Sequence, residues 1–402
     1  MVQGNAILVV DLGNSSTKGM VLYGKDSQTG KYRERQFDIP NVFAPISPTY
    51  EVSSDYNDMT STILNVNTTL NGRTITGHFC NGELQRKEKP LATIKPTATE
   101  KKYNLDSTVL SFRLAFLFGY KAIMNMTRTS DYKQLDIHWT VISLLPPGDL
   151  DTGKDEMKKI IKDVTDIDIV YPEVKLPVNI DNVVILPEGF CAYAGVVYDK
   201  GHMFRESHKF LTEETVLVFD IGAGTTDCLI IDRNKLVQNS KYTVTQGGNN
   251  VYQIVRMKLR MIGLNLNEDA VREGVIKGFV KDGVETVSIV EYINEAKAEI
   301  AQKIISEFQD FLEYTDIKAR SVGYVLVCGG GSMSDSDVPE IEPLSAKLIS
   351  HFKTLSPNSA LVEIPKHKVV KELADGDVEK VEEQISPRDL NLIGASIMAE
   401  IV

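Results

Sequence analysis

The sequence contains the same short pattern twice, 209 residues apart. Residues 7–22 and 216–231 each consist of an apolar run, then Asp-apolar-Gly, then small and hydroxyl-bearing residues, then a second apolar run. Two apolar runs of strand composition around a polar turn are typical of a β-hairpin. The sequence therefore predicts two matched hairpins with polar tips, and two copies at the same offsets favour a duplicated fold.

The tips of these hairpins predict phosphate binding. Glycine lets the backbone turn tightly, and converging N–H and O–H groups form a nest for anions. Asp11 and Asp220 each end an apolar strand, and a hydrated divalent cation such as Mg²⁺ favours carboxylate oxygens. The alternative is that the glycines serve only ordinary turns. The candidate phosphate-binding residues are Gly13, Asn14, Ser15, Ser16, Thr17 and Lys18 in the first tip, and Gly222, Ala223, Gly224, Thr225 and Thr226 in the second.

Composition and charge limit the class of protein. With 402 residues, 42% of them hydrophobic and 25% charged, the chain has the length and composition of a globular protein of two or more domains. Its formal net charge of −11 argues against a broad surface for direct nucleic-acid contact. We expect any connection to DNA to run through a partner protein.

Cysteine usage and hydropathy predict a cytoplasmic location without membrane association. The four cysteines show no C-x-x-C spacing, and most lie in apolar segments, as reduced buried thiols do. The first residues lack the basic and apolar regions of a signal peptide. The longest apolar tract, from Val109 to Tyr120, is interrupted by Arg113 and is shorter than the ~20 residues of a membrane span.

The order of predicted elements indicates an α/β protein. Residues 32–103 predict a small, mainly β insertion, because Asn71-Gly72 between two strand-like runs is a strong hairpin signal. The polar stretch 198–214 predicts a domain boundary. Between these segments we predict helices at 104–126, 154–164 and 190–197 and strands at 134–145 and 183–186.

The second half carries further glycine turns. A strand at 241–246 precedes Gly247-Gly248, and apolar positions three or four apart over 287–312 predict a long amphipathic helix. A buried strand at 322–327 leads into Gly329-Gly330-Gly331-Ser332, where missing Cβ atoms let a ligand approach the backbone. The alternative is a plain strand-to-helix turn. The acidic stretch Lys371 to Gln384 predicts a surface helix, or else a partner site.

In this order the motifs resemble the superfamily of actin, the heat-shock chaperone ATPases and the sugar kinases. Five segments match its nucleotide-site elements: 11–19, 187–195, 220–227, 327–332 and 392–399. The resemblance implies an actin-like ATPase fold of two duplicated α/β domains around an interdomain nucleotide cleft. Domain I would span 1–205 with the insertion at about 32–103. Domain II would span 206–402, with a last helix at about 388–402 returning to the domain interface.

The resemblance also implies roles for single residues. Asp11 and Asp220 would hold hydrated Mg²⁺, and Lys18 would contact the phosphates. Glu188 would orient the attacking water, with Asp220 as the second catalytic residue; alternatively, Glu188 only stabilises a helix N-terminus. Glu295 and Lys297 would contact the ribose, or else lie on a solvated helix face. Other expected nucleotide contacts are Gly247 and Gly248 through their backbone, and an adenosine pocket at Gly329, Gly330, Gly331 and Ser332.

Within the superfamily, chain size, the modest β insertion and Glu188 most resemble the plasmid-segregating bacterial actins, the ParM group. Membership would imply filaments that depend on ATP or GTP with Mg²⁺, built from copies of this chain and attached to DNA by a DNA-binding adaptor. The alternative of a different class is a sugar or acetate kinase, which needs a carboxylate base and substrate loops that the sequence does not reveal. A Walker-type site is excluded, because no Gly-Lys pair is followed by Ser or Thr.

Overall fold

The computed structural model divides the chain into two compact units. One unit comprises Met1–Pro187 with Ala395–Val402, and the other comprises Glu188–Gly394. The structure describes residues 2–25, 30–50, 61–70, 73–82, 84–85, 93–96, 101–171, 173–313, 317–332, 336, 338–372 and 378–400.

The first unit contains two sheets and two long helices in its described residues. In chain order its elements are β1 (Val2–Leu12), β2 (Ser16–Lys25), β3 (Tyr32–Pro40), β4 (Phe43–Ile46), β5 (Ser61–Leu70), β6 (Arg73–Gly82), α1 (Asp106–Thr127), β7 (Leu135–Leu145), α2 (Leu150–Lys162), β8 (Asp166–Tyr171), β9 (Val174–Pro177) and β10 (Asn179–Pro187).

The main sheet of this unit is built on the first predicted hairpin. Its strand order is β10-β7-β1-β2-β3. β1 and β2 pair antiparallel, whereas β7 runs parallel to β1, and β10 runs parallel to β7. β3, which lies in the segment interpreted as an insertion, extends this sheet by pairing with β2.

The second sheet of the first unit has the order β4-β6-β5-β8-β9. β5 and β6 form the predicted hairpin, with Leu70 opposite Arg73; the turn residues Asn71 and Gly72 lie outside the described residues. β8 pairs with β5, and both β8 and β9 come from well beyond residue 103, the predicted end of the insertion. The sheet is therefore completed by strands that the local sequence pattern did not associate with it.

Helix α1 provides much of the core of the first unit. It is long and apolar enough to cross a membrane by length and composition, although 89% of its most apolar window is buried inside the fold. Phe116 and Tyr120 on α1 meet the buried ring of Trp139 on β7 edge to face, with centroids 5.7 and 5.3 Å apart. Such aromatic contacts are favourable beyond the area that they bury. The apolar character of α1 thus reflects packing against the sheet.

The second unit has one large sheet, two hairpins and several helices in its described residues. In chain order its elements are α3 (Phe190–Val197), β11 (Thr215–Ile221), β12 (Thr226–Asp232), β13 (Lys235–Leu236), β14 (Tyr242–Val244), α4 (Gly248–Met261), α5 (Glu268–Lys277), β15 (Phe279–Asp282), β16 (Glu285–Ser288), α6 (Val290–Leu312), β17 (Tyr324–Cys328), α7 (Leu344–Phe352), β18 (Ala360–Leu361), β19 (Lys366–Glu372), β20 (Val378–Gln384) and α8 (Leu390–Ala399), whose residues from Ala395 on belong to the first unit.

The large sheet repeats the topology of the first unit. Its order is β13-β12-β11-β17-β18, with β14 also pairing with β12. β11 and β12 are antiparallel, β17 runs parallel to β11, and β18 runs parallel to β17. In both units, therefore, the first strand of a hairpin is followed, on one side of the sheet, by two parallel strands. This common order is the structural form of the sequence repeat.

The core of the second unit lies between this sheet and its helices. Phe219 on β11 contacts Phe308 on α6 and Phe352 on α7 edge to face, with centroids 5.4 and 6.2 Å apart. The predicted long helix exists as α6, but it begins at Val290, because Val287 pairs with Val280 in the β15–β16 hairpin. The predicted helix started too early, at residue 287, because the apolar spacing of three or four residues continues from the helix into the end of that hairpin.

The acidic stretch near the end of the chain was predicted wrongly. β19 and β20 pair antiparallel with Lys366 opposite Gln384 and Glu372 opposite Val378, so the stretch forms a β-hairpin in place of a surface helix. Valines among the charges favour strand over helix, and cross-strand pairing supplies the order that charge composition alone does not indicate.

All four cysteines are free and buried, as predicted: Cys80, Cys191, Cys228 and Cys328. Complete burial beside Asp227 raises the pKa of the Cys228 thiol well above its ordinary value. The thiol therefore stays neutral next to the second hairpin tip.

Candidate functional site

Each hairpin tip is closed by its own backbone hydrogen bond, at the equivalent position in both. In the first tip the N–H of Gly13 donates to the carbonyl oxygen of Ser16 at 2.9 Å, and in the second the N–H of Gly222 donates to that of Thr225 at 2.8 Å. Both pairs are separated by the same 209 residues as the sequence repeat. The duplication thus extends to the hydrogen bond that closes each loop.

The residues across the base of each loop differ in charge. Asp11 lies opposite Lys18, and both are half-buried, whereas Asp220 lies opposite Asp227, and both are buried. Opposed like charges are unfavourable unless other groups compensate them. The hydroxyl of Thr243 on β14 donates to Asp227 Oδ1 at 2.5 Å and provides part of that compensation.

One buried asparagine holds the first loop. Asn41 Nδ2 donates to the carbonyl oxygen of Gly13 at 2.9 Å, and its backbone N–H donates to that of Ser15 at 3.0 Å. Its Oδ1 accepts a hydrogen bond from the hydroxyl of Ser111 on α1 at 2.7 Å. The loop is therefore fixed to α1 by a residue that the sequence analysis did not identify.

Several side-chain hydroxyls predicted to bind phosphate are buried inside the protein. Thr226 is fully buried and donates to the carbonyl oxygen of Gln246 at 2.8 Å, and buried Ser332 donates to that of Gly329 at 2.7 Å. Thr17 is also fully buried, and within the described residues its hydroxyl has no hydrogen-bond partner. These hydroxyls lie inside the loops, and their contact with phosphate stays a prediction.

In the second unit, three glycine segments are packed backbone to backbone. The N–H of Gly248 donates to the carbonyl oxygen of Gly222 at 3.0 Å. A Cβ atom on Gly247 or on Gly331 would lie 2.7 Å from that same oxygen, closer than real Cβ atoms come. Only glycine fits at these two positions, so the structure brings the predicted phosphate loop, the Gly247-Gly248 turn and the Gly329–Ser332 turn together.

Asp220 lies beside this cluster, against the Gly329 turn. Asn391 Nδ2 donates to Asp220 Oδ2 at 2.5 Å. On the other side, Gly329 has a φ of +84°, and a Cβ atom there would collide with Asp220 Oδ1. The carboxylate is thus positioned by an amide donor and by a glycine turn.

Glu188 lies at the start of α3, beside the same asparagine. Gly189, with a φ of +69°, makes the sharp turn between Glu188 and the helix. Asn391 Oδ1 accepts hydrogen bonds from the N–H groups of Gly189 at 2.8 Å and Ala192 at 3.2 Å. Two otherwise unpaired N–H groups of the helix start are thereby satisfied.

Within the second unit, α3 and the first residues of α8 cross with no side chain between them. A Cβ atom on Gly195 would lie 2.9 Å from the carbonyl oxygen of Leu390, and one on Gly394 would collide with that of Cys191. The two segments predicted as connecting helices therefore touch through their backbones. This contact brings Asn391 to the start of α3.

Glu295 and Lys297, the two predicted ribose contacts, lie on α6 and bind other protein segments. Glu295 forms an ion pair with Lys258 on α4, with Oε2 and Nζ 2.7 Å apart. Lys297 is buried, and its Nζ donates to the carbonyl oxygen of Glu342 at 3.0 Å. Both side chains link α6 to neighbouring segments, and their contact with a ribose stays a prediction.

A cavity of about 720 Å³ opens beside the Gly329–Ser332 turn. At its wall, His208 Nε2 donates to the carbonyl oxygen of Glu363 at 2.7 Å, which leaves Nδ1 to accept from the hydroxyl of Ser207 in the neutral ring. Its lining residues include Arg205 and His208 from the predicted boundary segment, Ser332 from the glycine turn, and Pro365, Lys366 and Gln384 at the base of the β19–β20 hairpin.

Comparison with solved structures identifies the architecture. The chain is similar over 99% of its length to the actin-like protein Alp7A (97% of that chain, 15% identity, TM-score 0.66). It is similar over the same share to the archaeal actin homologue Ta0583 in complex with ADP (100% of that chain, 15% identity, TM-score 0.58) and to a ParM of a 15-stranded filament from Clostridium botulinum (99% of that chain, 15% identity, TM-score 0.58). The chain has the actin-like fold.

Sequence comparison adds a local match in the second half of the chain. Residues 218–336 match a family model described as the C-terminal part of the archaeal MreB-like actin homologue. The matched segment contains the second loop, the Gly247-Gly248 turn and the Gly329–Ser332 turn. No curated protein sequence gives a significant match.

The residues of the two loops fit a phosphate-bearing ligand and a hydrated cation. A Cβ atom on Gly13 would lie 2.7 Å from the carbonyl oxygen of Ser16, and one on Gly222 would lie 3.2 Å from that of Thr225, so each loop is a tight glycine turn of the kind that receives phosphate. Asp220 supplies a buried carboxylate. The described residues hold no cluster of three or more metal-binding side chains, and Mg²⁺ with phosphate ligands keeps several waters and needs only one or two carboxylates.

Sequence reasoning missed three residues that support the loops: Asn41, Thr243 and Asn391. Asn391 directly precedes the segment 392–399 that was matched to a connecting helix, so its position carried a signal. Asn41 follows the end of β3, and its role depends on contacts with Gly13 and Ser111 that no local pattern encodes.

Proposed function

We propose that this actin-like protein is a nucleotide-dependent filament former that segregates plasmid DNA and hydrolyses ATP, or GTP, within the polymer. The observation that carries the nucleotide part is the arrangement of Asp220, a buried carboxylate that lies against Gly329 and is held by Asn391. The two matched loops support the same conclusion. Bound Mg²⁺ would supply charge neutralisation at the phosphates.

The chain's own residues divide the work of hydrolysis. Backbone N–H groups of the two loops bind phosphate oxygens, and Lys18 adds a cation at the first loop. Asp11 and Asp220 would hold the hydrated cation. Glu188 positions the attacking water from the start of α3, where it is only 6% exposed and sits within the same unit as Asp220.

Filament formation is supported by likeness in fold to a ParM of a 15-stranded filament from Clostridium botulinum. A head-to-tail contact between identical subunits does not close and therefore builds a polymer. We propose that binding of the triphosphate favours this contact and that hydrolysis weakens it. A cytoplasmic location is part of the same proposal.

Pelleting and light scattering with ATP and Mg²⁺ test this proposal. We expect polymer with ATP, its decay as phosphate is released, and polymer that persists at least several-fold longer in Glu188→Ala. The exposed Glu213 in the same unit provides a matched control, and Glu213→Ala should hydrolyse ATP as the wild type does. Normal hydrolysis by Glu188→Ala would show that the role given to Glu188 is wrong.

The link to DNA is proposed to run through a DNA-binding adaptor. A net charge of −11 is unfavourable for direct binding to phosphate backbones. In a gel-shift assay at physiological salt, the protein with ATP should leave plasmid DNA unshifted until an adaptor is added. A shift by the protein alone would contradict this part of the proposal.

A sugar or acetate kinase is the competing function, because the actin-like fold also occurs in the superfamily that contains sugar kinases. No contact in the described residues favours it. Phosphoryl transfer to a sugar or to acetate, together with no polymer under any nucleotide, would replace the segregation proposal with the kinase.

A further inference from the structure

We infer that Asn391 is a positioning residue for nucleotide hydrolysis, one that ties the Asp220 carboxylate to the start of α3 next to Glu188. The inference rests on the proposed function and adds a residue to it. All of the groups involved belong to the second unit.

The three hydrogen bonds of the Asn391 side chain fix its orientation. Oδ1 faces two donors, the N–H groups of Gly189 at 2.8 Å and Ala192 at 3.2 Å, while Nδ2 faces Asp220 Oδ2 at 2.5 Å. Rotating the amide by 180° would place Nδ2 against two donors and Oδ1 against a carboxylate. Only the observed orientation satisfies all three contacts.

Burial makes these contacts strong. Asn391 and Asp220 are each only 7% exposed, and a hydrogen bond to a charged group gains strength where water is excluded. Asn391 also replaces a local helix cap: α3 begins after Gly189, which has no side chain, and receives its acceptor from a residue 202 positions away in the sequence. One amide thus serves both the helix start and the carboxylate.

The geometry connects the two proposed catalytic residues through a short path. Glu188 is bonded covalently to Gly189, Gly189 donates to Asn391, and Asn391 donates to Asp220. A shift of about 1 Å in a catalytic group can cost about 10²-fold in rate. Loss of the amide would therefore impair hydrolysis although Asn391 itself touches no reacting atom.

Two substitutions distinguish the acceptor role of the Asn391 amide from its donor role. Asn391→Asp keeps an oxygen for the N–H groups of α3 but places a second carboxylate against Asp220, whereas Asn391→Leu removes both functions. Asn267, which accepts from the N–H of Ala270 at the start of α5, offers a control. Asn267→Asp makes the same change of charge at another helix start in the same unit.

We expect kcat for ATP hydrolysis to fall at least tenfold in Asn391→Asp with KM changed less than threefold, while Asn267→Asp matches the wild type. Hydrogen exchange without nucleotide should show wild-type protection of the Gly189 and Ala192 amides in Asn391→Asp and at least tenfold faster exchange in Asn391→Leu. The exchange measurement does not depend on activity, and Asn391→Asp decides the matter if Asn391→Leu fails to fold.

A double variant tests the contact itself. Asp220→Asn combined with Asn391→Asp exchanges donor and acceptor, so it should regain the thermal midpoint that Asn391→Asp alone loses. Wild-type kcat in Asn391→Asp, or a double variant less stable than both single variants, would overturn the inference. A wild type that hydrolyses no nucleotide would instead overturn the proposed function.

Discussion

At the scale of single residues, buried amides hold both phosphate-type loops. Asn41 fixes the first loop to α1 through Ser111, and Asn391 fixes Asp220 beside the second loop. Asparagine suits this task because its side chain donates and accepts at once without carrying a charge that burial would penalise. The repeated loops are thus stabilised by residues that are not part of the repeat.

Replacement of Asn41 by leucine should destabilise the first unit. The substitution leaves the Ser111 hydroxyl and the Gly13 carbonyl without their partner, and each buried group left unpaired costs about 1–3 kcal/mol. We expect a thermal midpoint lower by at least about 4 °C, since each kcal/mol corresponds to about 2–4 °C in a unit of this size. Asn182→Leu, at an exposed position on β10, is the control, and an equal loss there would refute the explanation.

Tyr193 should lower the folding stability of the protein at alkaline pH. Burial raises the pKa of Tyr193 on α3 above its ordinary value of 10.0. Below pH 10 the phenol is protonated in both the folded and the unfolded chain, but above pH 10 it ionises only on unfolding, so folding stability falls as pH rises. Tyr193→Phe should therefore lose less stability than the wild type between pH 8 and pH 11 in urea titrations. Equal losses in both proteins would contradict this assignment.

At the scale of elements, backbone contact between helices replaces side-chain packing at one decisive crossing. α3 meets the start of α8 through Gly195 and Gly394, and the main-chain oxygens of Cys191 and Leu390 occupy the space where Cβ atoms would be. Because main-chain atoms cannot rotate away as side chains do, these positions tolerate no larger residue. The hydrogen bonds of Asn391 depend on this close approach.

Gly394→Ala should accordingly be severely destabilising. Its Cβ atom would collide with the carbonyl oxygen of Cys191, so the helices must separate and the contacts of Asn391 must break. Gly330→Ala is a suitable control for stability, because the nearest atom to a Cβ there is Arg388 Cγ at 3.7 Å, an ordinary contact. We expect little soluble protein or a thermal midpoint lower by more than about 10 °C for Gly394→Ala. Near wild-type midpoints for both variants would show that the crossing can relax.

At the scale of the whole molecule, the duplication has kept topology while the site chemistry has diverged. In both units a hairpin is followed in the sheet by two parallel strands, and each hairpin closes with the same hydrogen bond. The loop bases differ, with Asp11 opposite Lys18 in one and Asp220 opposite Asp227 in the other. We attribute the retained aspartates to cation binding and the other differences to separate tasks at the phosphates.

Ligand binding should stabilise the molecule as a whole. A nucleotide that binds only the folded state adds about 2.7 kcal/mol at a concentration 100-fold above its Kd. We expect ATP with Mg²⁺ to raise the thermal midpoint, EDTA to reverse much of the increase, and Asp220→Ala to respond less to Mg²⁺. An equal response to the cation in Asp220→Ala would remove Asp220 from the proposed cation site.

Much of the fold was predictable from local signals. The two matched hairpins, the strands β7, β10 and β17, the helices at α1, α3 and α6 and the β5–β6 hairpin follow from periodicity and turn residues. The mistakes occur where local pattern and pairing disagree. Val287 continues a helical spacing but pairs in a hairpin, and the described residues of the acidic stretch from Lys371 to Gln384 lie in two paired strands.

For this protein, sequence by itself determined the repeat, the glycine turns and the apolar strands, because these depend on residue type within a few positions. Tertiary structure alone decided which glycine turns meet at the Gly222 carbonyl oxygen and that Asn41 and Asn391 hold the loops. The bond from Asp220 to Asn391 joins residues 171 positions apart, and that from Gly189 joins residues 202 apart. Contacts of that range arise only when the sheet and the glycine-packed helices are assembled, so no local pattern could predict them.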